Sequence, residues 1–168
     1  KNIHDINDSL EHITNGNLDI KVEVRENKEF ASLSDDINNL VSAMKRYIVE
    51  AASRIDKELA FAKAIQISSL PSVFPEKKEL DIYALMRAAK EVGGDFYDFY
   101  LLDDNHIAFV MADVSGKGIP AAMFMMTAKS IIKGYAERGF EVNEIFECTN
   151  NELCEGNDAE MFVTTWMG

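Results

Sequence analysis

Cysteine, proline and tryptophan are scarce here: two, three and one in 168 residues. Two thiols cannot make the disulfide framework of a small secreted fold. Cys148 and Cys154 also lack a CxxC or nearby His pattern and read as reduced, partly buried helix residues of a cytosolic protein. No apolar run approaches the roughly 20 residues that span a bilayer, and no signal-peptide pattern opens the chain. Basic residues are outnumbered 17 to 29, for a net charge of −12. Such a balance argues against nucleic acid or an anionic membrane as the main partner. An initiating Met is missing too, as in a segment excised from a longer chain. What is present is enough apolar material for a packed core, 47% of residues. The length suits one ordinary domain, or a small module with part of another.

The first 70 residues contain no proline and read as helical. Ile3, Ile6, Leu10 and Ile13 recur at a 3-4-3 spacing over residues 1–14, one apolar stripe of a helix that Gly16 ends. Leu18, Ile20, Val22 and Val24 then alternate in an extended segment, and a second helix begins near Phe30 or Ala31. From Leu33 the second helix carries Ile37, Leu40, Met44, Ile48, Ala51, Ile55, Leu59, Ala62 and Gln66 at repeated 4-3-4 spacings. An eleven-residue period gives a straight or slightly right-handed coiled coil. Sustained without Gly or Pro, it favours a parallel dimer over a single helix packed on its own domain. Small Ala51 and Ala62, and Gln66 at the end, should make its lower half weak. Pro71 and Pro75 stop the helix near Ser69.

Helix, glycine-led connector with alternating anchors, then helix resembles a HAMP domain, the parallel four-helix relay of membrane receptors. Glu29 stands where that family usually has an acidic residue opening its second helix. The family's proline near the start of the first helix is absent. An ordinary helical hairpin is the alternative.

The second half centres on VGGDFYDFYLLDDNHIAFVMADVSGKG, Val92–Gly118. Asp95–Leu102 and His106–Asp113 are apolar runs around Asp103-Asp104-Asn105, a hairpin signal in which Asn105 could take the left-handed position. Pairing Leu102 with His106 sets Asp95 directly opposite Asp113. Like charges facing across strands repel, so one carboxyl is protonated, the register differs, or a cation lies between them. Two solvated strand-end aspartates are the bland alternative. Gly93 and Gly94 before Asp95, and Gly116 and Gly118 after Asp113, suggest backbone brought close to a ligand. Carboxylate and carbonyl oxygens would suit Mg²⁺ or Mn²⁺.

VGGDFYDF followed by ADVSGKGIPAAMFM resembles the first two motifs of metal-dependent PPM-type serine/threonine phosphatases, in the SpoIIE/RsbU subgroup. MFVTTWMG is similar to that domain's next strand, and AKAIQISSLP to the segment preceding it. The resemblance implies two Mn²⁺ or Mg²⁺ ions, with Asp95 holding one, Asp113 bridging both and the backbone carbonyl of Val114 joining them. It implies hydrolysis of phosphoserine or phosphothreonine on a partner protein, for example an anti-sigma factor antagonist, by water that the ions activate. Asp95 and Asp113 would be catalytic only through that water. The family's two further aspartates lie on later strands. Asp103, Asp104 and Asp158 match no motif, so a fragment ending here should bind metal weakly and hydrolyse poorly or not at all.

The resulting expectation is an α+β chain. Residues 1–48 form a HAMP-like module, 49–70 a coiled-coil linker helix, and 71–168 the N-terminal part of a PPM β-sandwich flanked by helices. In the latter, Leu80–Ala89 reads as a strand. A helix with Pro120 in its first turn buries Ala122, Met125, Met126, Ile131 and Ile132 and ends near Gly139. Its methionines read as core filler. Val142–Cys154 is a shorter helix with Ile145, Phe146 and Leu153 inward, and Met161–Trp166 a strand. His106, at the far end of the hairpin from the aspartates, is structural. The parent would be a homodimeric receptor acting at the cytoplasmic side of the cell membrane, with movement of residues 48–70 repositioning the loop that carries Asp95.

Three other readings compete. A diguanylate cyclase also follows HAMP helices, but Gly93-Gly94-Asp95-Phe96-Tyr97 lacks the Glu-Phe ending of its GGDEF motif. A P-loop at Gly116-Lys117 fails because Met111 and Gly118 stand where Gly and Ser or Thr are needed. A non-catalytic relay, in which the phosphatase fold merely binds a partner, remains.

Overall fold

The computed structural model describes residues 2–75, 77–88 and 91–168. Contacts divide the chain into two compact units, Lys1–Lys57 and Glu58–Gly168.

In the first unit, α1 (Asn2–Thr14) is followed by a connector and by α2 (Lys28–Ser69), which runs on into the second unit. The Asn27 side chain accepts the Phe30 N–H at 2.8 Å, capping the orphan donors where α2 begins. Ile6, Ile13, Val22 and Val41 form a small core, with Leu18, Val24, Phe30 and Ile37 packed against it. The connector is pinned by side chains. Asn38 bonds both the N–H and the C=O of Val22 at 2.9 Å, and Ser34 donates to Val24 C=O. These bonds do for an isolated extended segment what a partner strand would otherwise do. Leu33, Leu40, Met44, Ile48 and Ile55 of the 4-3-4 stripe stay exposed in the single chain.

The second unit holds β1 (Phe96–Leu101), β2 (Ile107–Val114), α3 (Ile119–Ala136), α4 (Val142–Cys154) and β3 (Val163–Met167). The strands form one antiparallel sheet in the order β1-β2-β3. Its register, Phe96↔Ala112 through Leu101↔Ile107, is the one the hairpin pattern implies. Alternate residues Ala108, Val110, Ala112 and Val114 are buried with Ala121, Met125, Ala128 and Ile132 of α3, so α3 covers one face. The other face leaves Met111 and Trp166 exposed.

Several expectations need correction. Residues 81–88 alternate between exposed and half-buried as a strand would, yet they join no ladder, and only an isolated bridge Lys77↔Leu80 forms nearby. Strand existence depends on a partner, and among the described residues none is offered; Ala89 lies outside them. Asn105 is not left-handed: among the described residues Glu160 is the non-glycine residue with positive φ. Instead Asp103 Oδ1 accepts the Asn105 and His106 N–H groups, at 2.7 and 2.9 Å, an Asx turn that needs no positive φ. The stripe α3 buries is Ala121, Ala122, Met125, Ala128, Lys129, Ile132 and Ala136, while Met126 and Ile131 are half-buried. Cys148 and Cys154 are free, and Cys154 is exposed. The last strand is Val163–Met167 rather than Met161–Trp166.

Candidate active site

The ladder ends at Phe96↔Ala112; carried one step further, its register sets Asp95 opposite Asp113, whose side chain hydrogen-bonds it, and Asp113 pairs on its other side with Thr164 of β3. Side chains alternate along a strand, so Asp113 leaves the α3 face that Ala112 and Val114 take. Asp95 and Asp113 therefore share the open face. Both line a cavity of about 730 Å³ with Thr164, Met111, Trp166 and Arg87, and a smaller one of about 150 Å³ with Val92, Gly93, Gly94, Val114 and Lys117. The carboxyl of Asp95 is pushed above its ordinary range, first by burial and then by a hydrogen bond with Asp113 and the negative charge it carries. Two carboxylates this close favour a shared proton or a cation.

The end of β2 is held from β3. Ser115 N–H donates to Phe162 C=O at 2.8 Å, and Ser115 Oγ accepts the Phe162 N–H at 3.0 Å. Thr164 Oγ1 donates to Asp113 C=O at 3.2 Å. A Cβ on Gly94 would lie 2.9 Å from Val114 O, 3.0 Å from Val114 Cβ and 3.2 Å from Ala121 Cβ. The glycine is thus required by the approach of the Asp95 segment to β2 and α3. Gly116 and Gly118, at φ 88° and 74°, turn the chain from β2 into α3.

Two positioning contacts were not anticipated. Gln66, expected to be a weak end of the stripe, is buried at 2% exposure. Its Nε2 donates to Gly93 C=O at 2.6 Å and its Oε1 accepts Gly93 N–H at 3.1 Å. The last turns of α2 therefore grip the backbone two residues before Asp95. Behind β1, Asp98 and Lys129 of α3 form an ion pair at 2.7 Å with side chains 6% and 11% exposed. Lys129 falls on the buried stripe one turn beyond Met125, and Asp98 provides its counter-charge. Sequence offered a signal only for Lys129, a cation at the helical spacing of a core position.

The remaining titratable residues of interest lie elsewhere. Asp103 and His106 pair at 2.7 Å on the exposed hairpin tip. The Asn105 N–H, together with the His106 side chain, holds the Asp103 carboxyl below its ordinary range. Asp104 offers its carbonyl to Lys77. Among the described residues, no cluster of three or more His, Cys, Asp or Glu could hold a metal ion. Asp95, Asp113 and the Val114 carbonyl are oxygen donors of the kind hard divalent ions take, and the crowding of the two carboxyls fits a cation between them. Together they would supply only part of a metal's coordination.

Residues 103–168 match the protein-family model described as stage II sporulation protein E (SpoIIE). The chain is 34% identical over 110 residues to the phosphoserine phosphatase RsbU of Bacillus subtilis, covering 66% of this chain and 32% of that protein. It is 28% identical over 163 residues to protein IcfG of Synechocystis, covering 93% of this chain and 25% of that protein. The chain thus spans about a quarter to a third of the length of these relatives. Among solved structures, the SiaA-PP2C domain of Pseudomonas aeruginosa superposes with a TM-score of 0.56 at 23% identity, over 68% of this chain and 49% of that one. At that identity the superposition speaks for the fold.

Proposed function

We propose, with a SpoIIE/PP2C-type phosphatase domain supported by these likenesses as the premise, that the whole protein hydrolyses phosphoserine or phosphothreonine on a partner protein. The observation that carries the proposal is the facing pair Asp95–Asp113 on an open sheet face, beside the Val114 carbonyl. These three groups would hold part of the coordination of two Mn²⁺ or Mg²⁺ ions. When bound, such ions polarise the phosphate and make water a stronger nucleophile. The chain's own part is placement. The β1–β2 ladder fixes the spacing of the carboxyls, β3 holds the end of β2, and Gln66 holds the Gly93 backbone.

The domain reading continues from the same residues: a HAMP-like module over 1–48, a coiled-coil linker over 49–70, and the N-terminal part of a PPM domain over 71–168. The exposed stripe of α2 supports a parallel homodimer, because Leu33, Leu40, Met44, Ile48 and Ile55 find no cover among the described residues and a partner helix would supply it. The paired hydrogen bonds of Gln66 support regulation by α2, since a shift of its last turns would move Gly93 and, with it, Asp95. A HAMP-like stalk would place the parent at the cytoplasmic side of the cell membrane.

The partial ligand set favours one second reading, in which this stretch is a dimeric relay that binds a partner without hydrolysis. Incubating the whole protein with Mn²⁺ and a phosphoserine protein separates the two. Phosphate release abolished by Asp113→Asn supports the enzyme; no release under any ion favours the relay. Disulfide locking of residues 48–70 should change the rate, and an unchanged rate would remove the coupling.

A further inference from the structure

The cavities that meet at Asp95 and Asp113 share only those two residues and Met86. Among the described residues each also offers one cation, Arg87 on the wide side and Lys117 in the small glycine-lined recess. Apart from the two aspartates and Lys117, the recess is lined by Met86, Ala88, Val92, Val114 and glycines, so Lys117 is its one positive side chain among the described residues. No ion pair among the described residues uses Lys117, and the residue is exposed, so packing does not account for it. The turn itself depends on Gly116 and Gly118, the residues with positive φ, and not on the side chain between them.

Resting on the phosphatase reading above, we propose that Lys117 binds substrate and reads the second negative charge of a phosphomonoester. A phosphoserine dianion approaching a chain of net charge −12 meets unfavourable charge at long range and two carboxylates at the site. A flexible ammonium four residues past Asp113, opening on the same recess, supplies a compact positive charge for a non-bridging phosphate oxygen. A phosphodiester carries one charge fewer and gains less from it. Lys117 therefore favours monoesters over diesters, while the metal ligands serve both.

The test compares the whole wild-type protein with K117A and K117R. For each, kcat/KM is measured with Mn²⁺ on p-nitrophenyl phosphate and on bis(p-nitrophenyl) phosphate. Binding of Mn²⁺ alone, and of inorganic phosphate to the Mn²⁺-loaded protein, is measured by calorimetry. Loss of one charge-assisted contact should lower K117A monoester turnover about ten- to a hundredfold and weaken phosphate binding about tenfold. Diester turnover should stay within about twofold, Mn²⁺ affinity should not change, and K117R should recover most of the loss. Equal losses on both esters, or equal phosphate affinity in wild type and K117A, would overturn the role of Lys117. Absence of turnover in the wild type strikes the phosphatase reading alone, because phosphate binding still judges Lys117.

Discussion

The two units treat their apolar residues in opposite ways. In Lys1–Lys57 four residues form the buried core, and the longest apolar stripe stays in solvent. In Glu58–Gly168 thirteen buried residues form one cluster between the sheet and its helices. Periodicity in a helix states which residues want cover without stating who provides it; a helix laid on a sheet answers both within one chain. The first unit therefore leaves an apolar stripe uncovered within the single chain, and the second holds three strands in fixed register.

Breaking an internal contact of the second unit should have the largest effect. Lys129→Met leaves Asp98 charged and unpaired in the core, at a cost of about 3–5 kcal/mol measured by urea unfolding of the C-terminal unit. Replacing both partners by apolar residues should recover most of that loss. Met125→Ala, at a fully buried position, should cost about 2–5 kcal/mol. Ile48→Ala sharpens the contrast. On the exposed stripe it should change monomer stability by less than about 0.5 kcal/mol, yet weaken self-association in sedimentation experiments. A stability loss as large as that of Met125→Ala in the monomer would refute the division drawn here.

Gln66→Ala tests the helix that belongs to both units. It strands the Gly93 N–H and C=O, so the C-terminal unit should lose about 1–3 kcal/mol with no change at α1 or the connector. Amide exchange at Gly93 should rise well before exchange in β2. The smallest effect concerns pH. The native state holds the proton of Asp95 more tightly than the unfolded chain does, because its carboxyl is raised from the usual 3.8. The stability this contributes is complete below the ordinary aspartate range and is lost as pH rises through the raised value. Without metal, urea midpoints should fall slightly across that window, and Asp95→Asn should flatten the slope.

Local pattern was legible and distant pairing was not. The hairpin register could be read because two alternating runs flank three polar residues, and Val142–Cys154 because its apolar stripe lies within one segment. Pro71 marked the end of α2 to the residue. The grip of Gln66 on Gly93, 27 residues away, and the pairing of Asp98 with Lys129 depend on how separate elements meet. Residues 81–88 carry a strand's alternation, but a strand needs a neighbour that composition cannot supply. At the site, the facing of Asp95 and Asp113 was legible because it follows from register alone. The reason for Gly94 was not, since Val114 and Ala121 approach it through tertiary packing.

Calorimetric titration of Mn²⁺ into the whole protein, repeated with Asp95→Asn and with Asp113→Asn, puts the facing carboxyls to the most direct test. Each single substitution should remove or sharply weaken binding while the C-terminal unit stays folded by circular dichroism. Binding unchanged in both variants would contradict a cation shared between β1 and β2.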